Sequence, residues 1–131
     1  MATIFTMIIN GEIPCHKVAE DGDFIAFMDI RPINRGHVLV VPKMEIDRAF
    51  DLPNDLLAKI MIFAKPIADA LEEIVDCERV GVMIAGLEVP HAHMHLIPFN
   101  QSTELSFANA AKESDQDDLA NLAQQLRDTL N

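Results

Sequence analysis

The hydrophobic and polar positions of the chain change period several times, and each change marks an element. Residues 1–10 are apolar without clean alternation and end at Asn10-Gly11, a turn signal. HKVAE (16–20) and DFIAFMDI (23–30) read as two strands hinged at Asp21-Gly22-Asp23, since Asp-Gly between apolar runs favours a hairpin. Residues 31–36 (RPINRG) are a loop, and HVLVVP (37–42) is a β-branched strand closed by its proline. Between about 51 and 75 the period lengthens: Leu56, Ile60, Phe63, Ile67, Leu71 and Ile74 recur at steps of three and four, the face of one helix. Pro66 lies inside that pattern, removes a hydrogen bond to the carbonyl of residue 62, and is expected to kink or interrupt the helix.

Strand periodicity returns at 79–86 (RVGVMIAG) and at 91–99, the latter ended by Pro98 and polar residues. Ser114 reads as an N-cap, with Asp115, Asp117 and Asp118 near the positive end of a last amphipathic helix carrying Leu119, Leu122, Leu126 and Leu130. The order strands, helix, strands, helix with short links predicts an α+β fold. Its sheet should be mainly antiparallel and five-stranded, with one face under the long helix.

Composition narrows the picture. The 131 residues suffice for one hydrophobic core, and half of them are hydrophobic. A net charge of −11 argues against broad electrostatic binding to nucleic acid or an anionic membrane, though one small anion can still sit in a local pocket. Cys15 and Cys77 fit no metal spacing and read as free thiols, which suits a reducing compartment. The first residues lack a basic flank before an apolar run, and no apolar run approaches a membrane span. A soluble, cytoplasmic protein is the expectation.

The sharpest chemical feature is His91-Ala92-His93-Met94-His95-Leu96-Ile97-Pro98, which holds three of the chain's five histidines. On a strand, residues 91, 93 and 95 share a face, about 6–7 Å apart per step. A plain core strand does not place three titratable rings together, because each needs a hydrogen-bond partner or water. Metal ligation and an exposed structural strand are the competing readings of this row. Nucleophilic chemistry fits it best: a neutral imidazole can attack phosphorus, while its neighbours orient it, stabilise phosphoryl oxygens and help protonate a leaving group. The preceding Gly86-Leu87-Glu88-Val89-Pro90 can turn backbone N–H groups towards an anion.

These residues carry a resemblance. HAHMHLI (91–97) matches the pattern His-φ-His-φ-His-φ-φ, with φ apolar, of the histidine triad (HIT) family. DFIAFMDIRPINRGHVLVVPK, the long helix and AGLEVPHAHMHLIPFN follow that family in order, over roughly residues 3–100. The chain is most similar to the Hint branch and its bacterial relatives. The resemblance implies a single HIT domain over 1–131, with a core of about 3–100 and a C-terminal helical extension of about 113–130.

It also implies roles. His93 matches the nucleophile, His95 the ring contacting phosphate, and His91 the first triad member, whose backbone orients the nucleophile. His37 matches a fourth family histidine. Asp29 matches the acid that binds ribose hydroxyls; from the residues alone it reads as a turn residue before Arg31-Pro32. Phe5, Phe27 and Ile30 match an apolar base slot or, without the family, core positions. Glu88 and Val89 match positions whose backbone N–H groups contact the α-phosphate.

Three departures stand out. Zinc-bearing relatives carry Cys-x-x-Cys where this chain has Thr3-Ile4-Phe5-Thr6, so no metal and no cofactor are expected. The glycine-rich loop before the triad is shortened, and Leu87 replaces a common Gln. The implied activity is hydrolysis of nucleoside phosphoramidates or related adenylates at the α-phosphorus through a nucleotidyl-histidine. The substrate would be a purine nucleotide and the assembly a homodimer. The alternatives are a dinucleoside polyphosphate hydrolase, as in the Fhit branch, and a low-activity nucleotide-binding or scaffold protein.

Overall fold

A computed structural model describes residues 2–131. The elements are α1 (Ile4–Ile9), β1 (Lys17–Glu20), β2 (Phe24–Met28), β3 (Val38–Pro42), α2 (Asn54–Ile74), β4 (Arg79–Met83), β5 (Met94–Phe99) and α3 (Gln116–Leu130). Short 3-10 turns lie at Ala49–Asp51, Ser102–Glu104 and Phe107–Asn109. The five strands form one antiparallel sheet in the order β1-β2-β3-β5-β4. This is the α+β architecture that the alternation of periods predicts.

The two-residue period of a strand sorts the side chains. Phe24, Ala26 and Met28 of β2, Val38 and Val40 of β3, and Met94 and Leu96 of β5 join one buried cluster with Leu56, Ile60, Ile67 and Leu71 of α2. Leu119, Leu122 and Leu126 bring α3 into the same cluster. Ile25 and Phe27, with Leu39 and Val41, point to the other face, where Phe5 of α1 meets them. Gly36 belongs to the first face: a Cβ there would stand 2.9 Å from Val75 Cγ2, and its φ of +94° also favours glycine.

Several boundaries differ from the sequence pattern. The first residues hold a helix: Thr3 Oγ1 caps it by accepting from Thr6 N at 3.1 Å, and Asn10-Gly11 ends it, with Gly11 at φ +80°. Six residues are too few for periodicity to separate a helix from a strand. The hairpin at Asp21 works through its carboxylate, which accepts from Asp23 N and Phe24 N, both at 2.8 Å, and not through a left-handed Gly22. α2 runs on through Pro66, because that residue is on the exposed face and the carbonyl it leaves free belongs to Ile62, itself 69% exposed. Asp115, not Ser114, caps α3, accepting from Asp118 N at 3.1 Å, while Ser114 Oγ donates to the Ile30 carbonyl at 2.6 Å.

The last correction bears on the chemistry. β4 stops at Met83, and the β5 ladder begins at Met94, so His91 and His93 lie in a bent approach to the strand. His91 N bonds back to the Val89 carbonyl at 2.8 Å, and Ala92 N bonds to the Ile46 carbonyl at 2.7 Å, which takes this stretch out of the ladder. The alternation nevertheless holds: Ala92, Met94 and Leu96 enter the core under α2, while the His91 and His93 rings pack on Phe5 and the His95 ring on His93.

Candidate active site

On the face away from α2 and α3, the sheet floors a cavity of about 450 Å³. Phe27, Leu39 and His95 come from the strands, Phe5 and Ile8 from α1, and Asp29 and Ile30 from the loop after β2. Glu88, Val89 and His93 come from the approach to β5, and Phe107 from a 3-10 turn beyond it. Of the residues singled out in the sequence, His37, His93, His95, Phe5, Phe27, Asp29, Ile30, Glu88 and Val89 all line this space. His91 does not. It is fully buried behind the cavity, its Nε2 against the Pro42 carbonyl and its Nδ1 against Thr3 Oγ1, both at 2.8 Å.

The hydrogen bonds fix where each neutral ring carries its proton. Ile33 N donates to His37 Nδ1 at 3.0 Å, so the hydrogen of the neutral His37 ring is on Nε2. That atom donates to His95 Nδ1 at 2.8 Å, which leaves the His95 hydrogen on Nε2. His95 Nε2 is buried and, among the described residues, has no partner. A buried N–H without a partner is costly to leave unmade, and here it borders the cavity. Burial, with His95 and His93 beside it, pushes His37 down to about 3. Burial and the nearby His93 push His95 down to about 4, so both rings are neutral near pH 7.

His93 is set the opposite way. Its Nδ1 lies 2.7 Å from the His91 carbonyl, which can only accept, so Nδ1 donates and Nε2 keeps its lone pair. The Phe5 ring packs edge-on against His93 at 4.9 Å and holds the imidazole on its other side. The His93 and His95 rings are 4.9 Å apart, and Glu88 Oε2 lies 3.7 Å from His93 Nε2. The cavity thus presents a lone pair next to an unpaired N–H donor, the combination needed to attack an electrophile and stabilise the oxygen beside it.

Asp29 makes the local turn read from the residues alone and also reaches the cavity. Its Oδ1 accepts from Arg31 N at 2.8 Å, a local turn, while Oδ2 lies 3.5 Å from His37 Nε2 at the cavity wall. Burial raises its carboxyl above the usual range. Phe5 and Phe27 meet edge to face at 5.7 Å, and Ile30 is exposed at the rim. Gly86 takes φ +85° with open space around it, so conformation and not close approach calls for glycine there. Leu87 is 93% exposed and is not part of the wall.

Phe107 is one of several wall residues that the sequence pattern did not single out, with Ile8, Leu39 and Ala110; its ring lies 5.0 Å from that of His95. The only local cue is Ser106, whose Oγ accepts from Ala108 N at 3.2 Å in a tight turn. Among the described residues, two groupings have the donors to hold a metal ion, Asp29–His37–His95 and Glu88–His93–His95, with ligand atoms within 4.8 Å of one another. In the first, the His37–His95 hydrogen bond already occupies one nitrogen of each ring.

The model of the HIT domain family matches residues 10–102. The chain is 36% identical to an adenosine 5′-monophosphoramidase of Saccharomyces cerevisiae over 127 residues, 95% of this chain and 80% of that protein. A zinc-bound histidine triad family protein from Mycobacterium smegmatis superposes with a TM-score of 0.83 at 29% identity, covering 99% of this chain and 94% of that one. A hypothetical histidine triad nucleotide-binding protein from Sulfolobus tokodaii gives 0.84 at 26% identity, covering 97% and 91%.

Proposed function

The chain belongs to the histidine triad family, and from that premise we propose that it is a Hint-like nucleotide hydrolase cleaving nucleoside phosphoramidates or related adenylates at the α-phosphorus. The observation that carries this reading is the opposed pair of rings, His93 with a bare Nε2 and His95 with an unpartnered Nε2–H. His93 Nε2 attacks phosphorus as the bond to the leaving nitrogen breaks, and the departing amine takes its proton from solvent at the open rim. His95 Nε2 donates to a non-bridging oxygen and stabilises the charge that builds there. Water then breaks the N–P bond, releases the nucleoside monophosphate and returns His93 to its neutral form.

Asp29 Oδ2 is the acceptor for ribose, and Phe5, Phe27 and Ile30 form the slot for a purine. The backbone at Glu88 and Val89 takes the α-phosphate. Leu87 has no group to donate to a bridging oxygen, which disfavours the dinucleoside polyphosphate alternative. The decisive assay is a single-turnover incubation with labelled adenosine phosphoramidate. An acid-labile adduct on the protein and release of AMP are expected; the absence of both leaves only a nucleotide-binding or scaffold role.

A homodimer is part of the same proposal. β4 ends the sheet, and an open strand edge pairs readily with its own copy. Val82 and Ile84 at that edge and Met61 and Ile62 on α2 are exposed apolar side chains, a patch suited to a second chain. Light scattering on the wild type and on Val82→Lys tests it: a dimer that dissociates in the variant is expected. We read 1–131 as one domain, because α3 shares the cluster formed by α2 and the sheet. A cytoplasmic location is supported by the free thiols Cys15 and Cys77; among the described residues no helix is long and apolar enough to cross a membrane.

A further inference from the structure

The residues behind the cavity form a network that the proposed reaction does not yet use. Glu45 Oε1 accepts from Thr3 N at 2.9 Å and from Thr6 Oγ1 at 2.6 Å. Thr6 N donates to Thr3 Oγ1 at 3.1 Å, and Thr3 Oγ1 lies 2.8 Å from His91 Nδ1. The directions follow from the far end. Pro42 contributes only a carbonyl, so His91 Nε2 donates to it at 2.8 Å, and Nδ1 of the neutral ring is an acceptor for the Thr3 hydroxyl. The Thr6 hydroxyl proton goes to Glu45 at 2.6 Å, and the Thr3 proton to His91 Nδ1 at 2.8 Å; the alternatives, Thr3 Oγ1 to Thr6 Oγ1 at 3.3 Å and Thr6 Oγ1 to His91 Nδ1 at 3.5 Å, are longer.

The network ends on the group that matters. The His91 carbonyl holds His93 Nδ1 at 2.7 Å, and the neighbouring Ala92 N is fixed to the Ile46 carbonyl at 2.7 Å. Pro42 and Ile46 therefore hold the His91-Ala92 stretch directly, and Glu45 does so through Thr3. Zinc-bearing members of the family have thiolates in place of Thr3 and Thr6. The donors present here are two neutral hydroxyls, one carboxylate and one imidazole whose Nδ1 already accepts a hydrogen bond, a set that does not suit the N/S coordination of structural zinc.

We infer that Thr3, Thr6 and Glu45 act as positioning residues, a metal-free hydrogen-bonded bolt that sets His91 and, through its carbonyl, the attacking ring of His93. The catalytic part of this inference rests on the phosphoramidase reading above. Misplacing an attacking atom by an ångström costs on the order of 100-fold, so loosening the bolt should act on kcat more than on KM.

The test uses the full-length protein, with Thr3→Val, which keeps the shape and removes the hydroxyl, and Thr3→Ser, which restores it. Long-range proton–nitrogen NMR reads His91 without any substrate, and adenosine phosphoramidate turnover reads His93. In Thr3→Val the His91 Nδ1 resonance should move to that of an unbonded nitrogen, and kcat should fall about tenfold or more with KM nearly unchanged. Thr3→Ser should return both to wild type. Glu45→Gln, at an exposed position, should produce a smaller change of the same kind, and stands in if Thr3→Val does not fold. A folded Thr3→Val or Glu45→Gln protein with an unmoved His91 resonance and wild-type kcat overturns the inference. So does about one tightly held zinc per purified chain. If the wild type has no phosphoramidase activity, that reading fails by itself, and the His91 resonance still decides whether the bolt exists.

Discussion

The two faces of the sheet use the same three central strands, yet one is closed and the other is not. Towards α2 and α3, Met28, Val40, Met94 and Leu96 meet Leu71, Leu122 and Leu126 in a continuous apolar layer. Towards α1 the apolar cluster is small, Phe5 with Ile25, Phe27, Leu39 and Val41, and next to it four buried histidines are tied to each other and to backbone. The difference separates two duties. The closed face supplies most of the burial free energy, and the open face trades burial for four imidazoles, three with their protons held by a partner and His95 with its Nε2–H left unpaired. Damage to the first should lower stability and spare turnover; damage to the second should do the reverse.

His93→Ala gives the sharpest form of that contrast. Turnover should drop by on the order of 10³ or more, with nucleotide binding largely kept and the melting temperature little changed. Turnover within tenfold of wild type would remove His93 from its role. Leu122→Ala is the mirror experiment: about 2–5 kcal/mol less stable in urea titrations, with kcat per folded molecule unchanged. A matching loss of kcat would show that the faces are coupled.

Asp29→Ala probes the open face alone. Calorimetry should show AMP weakened by about 1.5–3 kcal/mol, and its 2′,3′-dideoxy analogue hardly affected. Equal weakening of both ligands would return Asp29 to the turn that its bond to Arg31 N already makes. Acid pH should then attack the open face first. His37 and His95 titrate at about 3 and about 4 in the fold, below the ordinary 6.5, so the unfolded chain takes up more protons as pH falls. Their neutral burial leaves stability intact above about 6.5 and removes it as pH drops towards 4 and 3, by up to about 1.4 kcal/mol per pH unit for each ring. In His37→Asn that slope should be shallower between pH 6.5 and 4 by equilibrium unfolding; an unaltered slope would locate the titrating groups elsewhere.

Legibility in the sequence followed the length scale of each signal. α2 and the central strands were plain because a long periodic run or a β-branched run has one reading. α1 was not, since six apolar residues carry no decisive period, and Pro66 misled because its exposed setting cancels the usual cost. The histidine row was legible through its two-residue period, with Ala92, Met94 and Leu96 turned to the core and the three rings away from it, but the contacts that hold each ring were not. His91 turned inward on contacts with Thr3 and Pro42, far away in sequence, and no spacing rule encodes them. Phe107 was invisible for the same reason: its place depends on how the segment after β5 folds back.

That segment has a consequence for how the pocket can be altered. Glu104 Oε1 accepts from Asn34 Nδ2 at 2.9 Å and from Asn100 N at 3.0 Å, and Ala111 N reaches the Pro32 carbonyl at 2.9 Å, so Phe107 is carried on a strap fastened at both ends. The strap's cavity residues, Phe107 and Ala110, fall outside the stretch 10–102 that the HIT domain shares, while His37, His93 and His95 fall within it. The cavity wall is thus built from two lengths of chain, one inside the shared domain and one beyond it. Exchanging residues 105–111 would re-tailor which guests fit, and the inherited imidazole wiring would stay as it is.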